Sequence, residues 1–284
     1  MIKAVTRKSM KIRPSGRSSD FISPSFGFGC LLECSYCYMK RHKPVGLDYA
    51  TNINTILDEI NRHSLFTVVD KPNQTHPKYI TYDIACNEDF ALHSKYYDWV
   101  SIFNFFKEHP IAMGTFATKI IPKQFLKYNP EQKIRIRFSL MPQVISSILE
   151  PNTSKIIDRL KAVDTFIEAG YDVHLNFSPV VFFDNWLDEY KNLFNLVENT
   201  IVNKDKVLAE VIFLTHNVNK HKNNVENNIE GESLLWNPEL QEPKKSQYGG
   251  DNIRYRWRLK QDMISDFKEQ HKQVIPWNTI RYIF

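Results

Sequence analysis

GCLLECSYCYM, residues 29–39, holds three of the chain's four cysteines, Cys30, Cys34 and Cys37, in a C-x3-C-x2-C spacing. Only Cys86 lies elsewhere. So few cysteines make no secreted disulfide framework, and a tight cluster in a reducing compartment points to metal. Structural zinc takes four protein ligands, usually from C-x2-C pairs, and there is no second pair here. A cubane iron–sulfur cluster held by three thiolates keeps one iron open. An open iron adds nothing to plain electron storage, but it can bind and reduce a substrate.

Outward from this loop, short β-like runs alternate with longer helical ones. SPSFGFG (23–29) reads as a strand entering the loop, and YATNINTILDEINRH (49–63) as a helix with Ile53, Ile56, Leu57 and Ile60 on one face. Further strands are expected at 78–85, 111–118, 133–141, around YDVHLNFSPVV, and at DKVLAEVIFLTH. Helices are expected at 95–109, from Pro122, at 152–170 and at LDEYKNLFNLVEN. Six strands alternating with five helices between Ser23 and His216 argue for an α/β fold of parallel βα units. Six units suit a partial (βα)6 barrel better than an open sheet, though periodicity does not separate the two. Residues 1–20 read as a basic peripheral arm, 21–216 as the barrel, and 217–284 as a C-terminal extension. That extension begins with an Asn-rich loop. A β-hairpin (244–260) with a basic, aromatic face follows, then a short helix (261–271) and a closing strand, TIRYIF.

At 284 residues, 42% apolar and 24% charged, the chain has the composition of a globular protein, which excludes wholesale disorder. No apolar run approaches the ~20 residues of a membrane helix. The basic N-terminus has no apolar stretch behind it, so no secretory signal is read and a cytoplasmic protein is expected. Net charge is +5, but residues 1–43 carry nine Lys/Arg against two acids and residues 244–284 nine against four. The middle is therefore acidic, and the basic ends suit a polyanionic partner.

With an aromatic residue just before its third cysteine, the cysteine loop resembles that of radical S-adenosylmethionine (SAM) enzymes. From Phe28 to Phe284 the chain is similar to the spore photoproduct lyase (DNA repair photolyase) family. The resemblance rests on CSYCY (34–38), ACNED (85–89), FATK (116–119), RIRFSL (135–140), EPNTS…R (150–159), AGYDVHLNFSPV (169–180) and QYGG…YRW (247–257). It implies a radical SAM partial barrel that reverses a UV-induced thymine dimer in DNA, with a deoxyadenosyl radical abstracting hydrogen. It further implies that Cys30, Cys34 and Cys37 hold a [4Fe-4S] cluster, that Tyr36 lies against the adenine, and that Lys119 and Ser139 contact SAM. Cys86 matches the cysteine that returns hydrogen to the product radical, and Tyr38 a tyrosine near the lesion. Tyr248 on the hairpin would meet DNA. An electron donor such as a flavodoxin or ferredoxin is implied as well.

Two departures concern the substrate pocket. Glu88 replaces a SAM-contacting serine two residues after Cys86 and offers its carboxylate to the SAM ammonium instead. Gln247 stands where an arginine is expected beside Tyr248. Independently of the resemblance, Arg254, Arg256 and Arg258 in RYRWR are read as phosphate contacts. The bland reading is a charged edge strand resisting aggregation. His174 reads as a core histidine, whereas His93 and His216 stand at strand ends. Two other functions stay open: the same fold acting on another nucleic acid or a peptide, and a non-catalytic iron–sulfur nucleic-acid-binding protein. Mere binding has no use for Cys86, Lys119 and Ser139.

Overall fold

The computed structural model describes residues 1–67, 70–245 and 250–284. Eight strands form one sheet in the order Thr279–Ile283, Leu208–Phe213, Asp172–Val180, Ile134–Leu140, Ala112–Thr118, Ile80–Asp83, Phe21–Ile22, Arg13–Pro14. Each neighbour, the closing strand included, is the next strand of this sheet along the chain. Phe21–Ile22, Ile80–Asp83, Ala112–Thr118 and Ile134–Leu140 pair in parallel, as do Leu208–Phe213 and Thr279–Ile283. A doubly wound sheet reverses its strand order at a switch point; this order has no reversal, which is the topology of a barrel that is not closed. The expected partial barrel is thus the fold.

The chain divides into two compact units. The first comprises Met1–Leu31, Lys43–Phe138 and Ala162–His174. Its core is aromatic: Phe90 packs on Phe116 at 5.1 Å between ring centroids, Phe103 on Phe125 at 4.9 Å, and Trp99 on Phe125 at 4.6 Å. Helix Ile53–Phe66 buries Ile56, Leu57 and Ile60, the stripe expected from its sequence. The buried Arg137 meets Asp83 at 2.9 Å, so neither charge lacks a counter-ion.

The basic start of the chain belongs to this unit and is built into it. Ile2–Val5 pairs in parallel with Leu47–Ala50, and Arg13–Pro14 is the edge strand beside Phe21–Ile22. Of the strand expected over 23–29 only Gly27–Gly29 is strand, and a separate strand precedes it. Phe21–Ile22 joins the main sheet, while Gly27–Gly29 pairs antiparallel with Leu47–Ala50. Pro24 removes a backbone donor between them, which favours the break.

The second unit comprises Leu32–His42, Ser139–Lys161 and Leu175–Phe284. Helices Trp186–Thr200 and Trp257–Val274 meet through Tyr190, Phe194 and Phe267, with rings 5.2–5.4 Å apart. A hairpin is present but spans Gln241–Lys245 and Asp251–Tyr255 rather than the expected 244–260, and Thr215–Asn217 joins it as a third antiparallel strand. The Asn-rich segment is not a loop: Val218–Glu226 is helical, because Asn217 caps it by accepting from the N–H groups of Asn219 and Lys220. No helix among the described residues is long and apolar enough to cross a membrane.

Candidate active site

In the first unit, the turn ACNED (85–89) gathers several of the residues singled out from the sequence. Ala85 N–H donates to Asp83 Oδ1 at 2.9 Å, and Glu88 N–H to the Ala85 carbonyl at 3.2 Å, which closes the turn. Gly29 N–H donates to the Asn87 carbonyl at 3.0 Å. The residue before Cys30 is therefore bonded to the residue after Cys86. On the other side, Asp89 accepts from Lys119 N–H at 3.0 Å and from the Thr118 hydroxyl at 2.9 Å, while capping helix Phe90–His93. Cys30 is buried; Cys86 and Lys119 are half-buried at the ends of their elements.

Glu88 points inward. Its side chain has no exposed area and accepts from the Tyr97 hydroxyl and from His93 Nδ1, both at 3.2 Å. Gly27 leaves the room, since a methyl there would lie 2.0 Å from Glu88 Oε2. Burial raises the Glu88 carboxyl above its ordinary range, an effect that the contacts with His93 and Tyr97 reduce. An ammonium expected at Glu88 meets no exposed carboxylate in this arrangement. His93 is fully buried on the same carboxylate, away from solvent.

In the second unit, the cysteine loop is held from two sides. Cys37 N–H donates to the Cys34 carbonyl at 3.0 Å, and Ser35 N–H to the Leu149 carbonyl at 2.9 Å. The Tyr36 hydroxyl donates to Glu150. Glu150 also receives Arg159 at 2.9 Å, and Arg159 donates to the Ser139 carbonyl at 2.7 Å. Burial, followed by the Glu150 charge, raises the Tyr36 phenol well above its ordinary value, so it stays a donor. This buried chain links Tyr36 to Ser139 through two residues of the EPNTS…R run whose role the sequence left open. Tyr38 is 44% exposed. His174, in the first unit, is a core histidine beside Asp172, at 3.4 Å.

The other side of the loop rests on helix Val218–Glu226, where sequence reasoning saw nothing. Asn224, fully buried, donates to the Ser35 carbonyl at 2.9 Å and to Glu232. Glu232 is fixed in turn by His216 at 3.0 Å and His221 at 2.6 Å. Lys220 on the same helix is buried, which lowers its ammonium pKa; negative charge at the cysteine loop would raise it. The one signal in the sequence is a cap, Asn217, followed by Lys220 and Asn224 four residues apart on one helical face.

These residues fit an iron–sulfur cluster. None of the four cysteines is joined in a disulfide. Among the described residues no three Cys, His, Asp or Glu side chains converge as they would on a single metal ion. A cubane makes no such demand, because each thiolate binds a different iron. A buried lysine on the helix that holds the cysteine loop suits a cluster of net negative charge.

The hairpin departs from expectation. Arg254 pairs with Glu242 directly across the strands at 3.0 Å. The strand ends at Tyr255, which is buried and whose hydroxyl accepts from Phe182 N–H at 2.8 Å. Helix Trp257–Val274 then begins, so Arg256 is its cap and Arg258 lies in its first turn, both exposed. The alternating RYRWR face is therefore not a hairpin face. Tyr248 and Gln247 lie outside the described residues.

A family model described as spore photoproduct lyase matches residues 2–284. The chain belongs to the spore photoproduct lyase family. The spore photoproduct lyase of Bacillus subtilis (strain 168) is 24% identical over 253 residues, covering 86% of this chain and 70% of that one. The Clostridium acetobutylicum enzyme is 24% identical over 259 residues, covering 90% and 74%. A solved spore photoproduct lyase variant, with bound AdoMet and dinucleoside spore photoproduct, has the same fold. Its TM-score is 0.86 at 18% identity, over 100% of this chain and 82% of that one. Spore photoproduct lyases are radical SAM lyases whose cofactors are a [4Fe-4S] cluster and SAM.

Proposed function

We propose that this chain repairs spore photoproduct, a cross-linked thymine pair, in DNA. The observation that carries the reading is the hydrogen bond from Gly29 to Asn87, which sets the Cys86 turn against the strand that delivers Cys30. When bound, the [4Fe-4S] cluster and SAM supply the deoxyadenosyl radical that takes hydrogen from the lesion. Cys30, Cys34 and Cys37 would hold the cluster, and Lys119, Ser139 and Tyr36 would contact SAM. Cys86 gives the hydrogen of its weak S–H bond to the thymine radical left by fragmentation, and the sulfur radical that remains returns to the thiol by taking one electron from the flavodoxin or ferredoxin and one proton from solvent. A half-buried thiol suits this role, being reachable by a bound radical yet sheltered from bulk solvent. Tyr38 borders the lesion. A flavodoxin or ferredoxin delivers the electron, and the work is done in the cytoplasm, where thiols stay reduced.

The test is anaerobic incubation of reconstituted protein with SAM, a reductant and DNA bearing spore photoproduct. Release of intact thymine pairs is expected. SAM cleavage without thymine release would assign the fold to another substrate.

A further inference from the structure

The first residues of the chain shape a cavity of about 460 Å³ in the first unit. Arg7, Lys8, Lys11 and Arg13 line it, against one carboxylate, Asp48. Asp48 is already engaged by Lys43 at 2.8 Å, outside the lining. Four like charges around one hollow repel each other and focus a positive potential that draws an anion.

The cations are held in place. The strand pairing of Ile2–Val5 fixes one end of the segment, and that of Arg13–Pro14 the other. Arg7 is fixed further: its Nε donates to the Ser25 carbonyl at 3.1 Å, a terminal nitrogen to the Asp48 carbonyl at 3.2 Å, and its guanidinium lies 5.7 Å over the Phe28 ring. Burial lowers its pKa, but an arginine remains charged. Lys8 and Lys11 are exposed, with ammonium groups open to a ligand. The far wall includes Asn87, the neighbour of Cys86, so the hollow adjoins the turn that carries the proposed hydrogen donor.

We infer that this cavity seats the DNA sugar–phosphate backbone flanking the lesion. The inference rests on the proposed function, because it takes Cys86 to face the damaged thymines. A strand of phosphates fits better than one free phosphate. The four cations are spread along seven residues of chain rather than converging on a point, and each can meet a separate phosphodiester.

The experiment compares wild type with Lys8→Ala/Lys11→Ala/Arg13→Ala on two substrates, a long lesion-bearing duplex and the dinucleoside, which lacks flanking phosphates. The ratio of kcat/KM on duplex to kcat/KM on dinucleoside is expected to fall tenfold or more. The salt slope of duplex binding should shrink by about 2–3, at ~0.9 per lost phosphate contact. Lys8→Glu/Lys11→Glu repeats the test without touching a strand residue. A proportional loss on both substrates, or an unaltered salt slope, overturns the inference. So does inhibition of dinucleoside turnover by inorganic phosphate at constant ionic strength, which would mark a free-phosphate site. If wild type releases thymine from neither substrate, the lyase reading fails, and the salt slope alone then decides the phosphate seat.

Discussion

Cys86 sits where a thiol has two different uses, packing or hydrogen transfer, and its surroundings separate them. A packing cysteine is buried among apolar side chains, whereas Cys86 is half-exposed in a polar turn bonded to the strand before Cys30. Cys86→Ala should keep its iron, cleave SAM and consume lesion at near wild-type rates. Its yield of intact thymine should fall about tenfold, with by-products in its place, as read by chromatography of the digested DNA. A wild-type yield would hand the role to another donor, such as Tyr38. Lys220 acts on a different step. Adding an electron to an already negative cluster is easier beside a buried cation, where Coulomb energies are larger than in water. Lys220→Met should therefore lower the midpoint potential, so that at a fixed reductant potential the reduced fraction falls severalfold in an EPR titration without substrate. An unchanged midpoint would leave Lys220 a packing residue.

At the level of elements, the strands were legible because alternation and apolar runs in KYITYDIA, IAMGTFAT and KIRIRFSLM meet a period of two. The helix Val218–Glu226 was not, since its Asn-rich sequence has no apolar stripe and its buried face is made of Lys220 and Asn224. Polar burial of that kind depends on partners distant in sequence, Ser35 and Glu232, which no local pattern reveals. RYRWR misled for a related reason: the alternation is real, but the buried Tyr255 ends the strand and Trp257 starts a helix. The consequence is testable. Arg256→Ala/Arg258→Ala should weaken duplex binding and flatten its salt dependence, because both side chains are exposed. Arg254→Ala should leave the slope nearly intact and cost the hairpin at most about 1 kcal/mol of stability, the range of a partly exposed ion pair. A larger slope change from Arg254 than from the double variant would restore the hairpin as the DNA contact.

For the whole molecule, stability should depend on pH in a way that formal charge does not suggest. The chain carries +5 at neutrality, and removing surplus positive charge on raising the pH relieves general repulsion only weakly through solvent and salt. A specific contribution comes from Lys133, buried at the start of strand Ile134–Leu140, with its ammonium donating to the His109 carbonyl and lying 4.0 Å from the Tyr79 ring centroid. Burial, with Lys78 nearby, lowers its pKa from 10.5 to about 8. The folded protein therefore releases this proton at a lower pH than the unfolded chain does. Between these two values the unfolded state binds more protons, so stability rises with pH. Above the unfolded value the full contribution is present, and it is lost as pH falls through the folded one. Thermal unfolding from pH 7 to 10.5 should show wild type gaining stability relative to Lys133→Met across this window. A constant difference between the two would mean that Lys133 keeps an ordinary pKa in the folded protein.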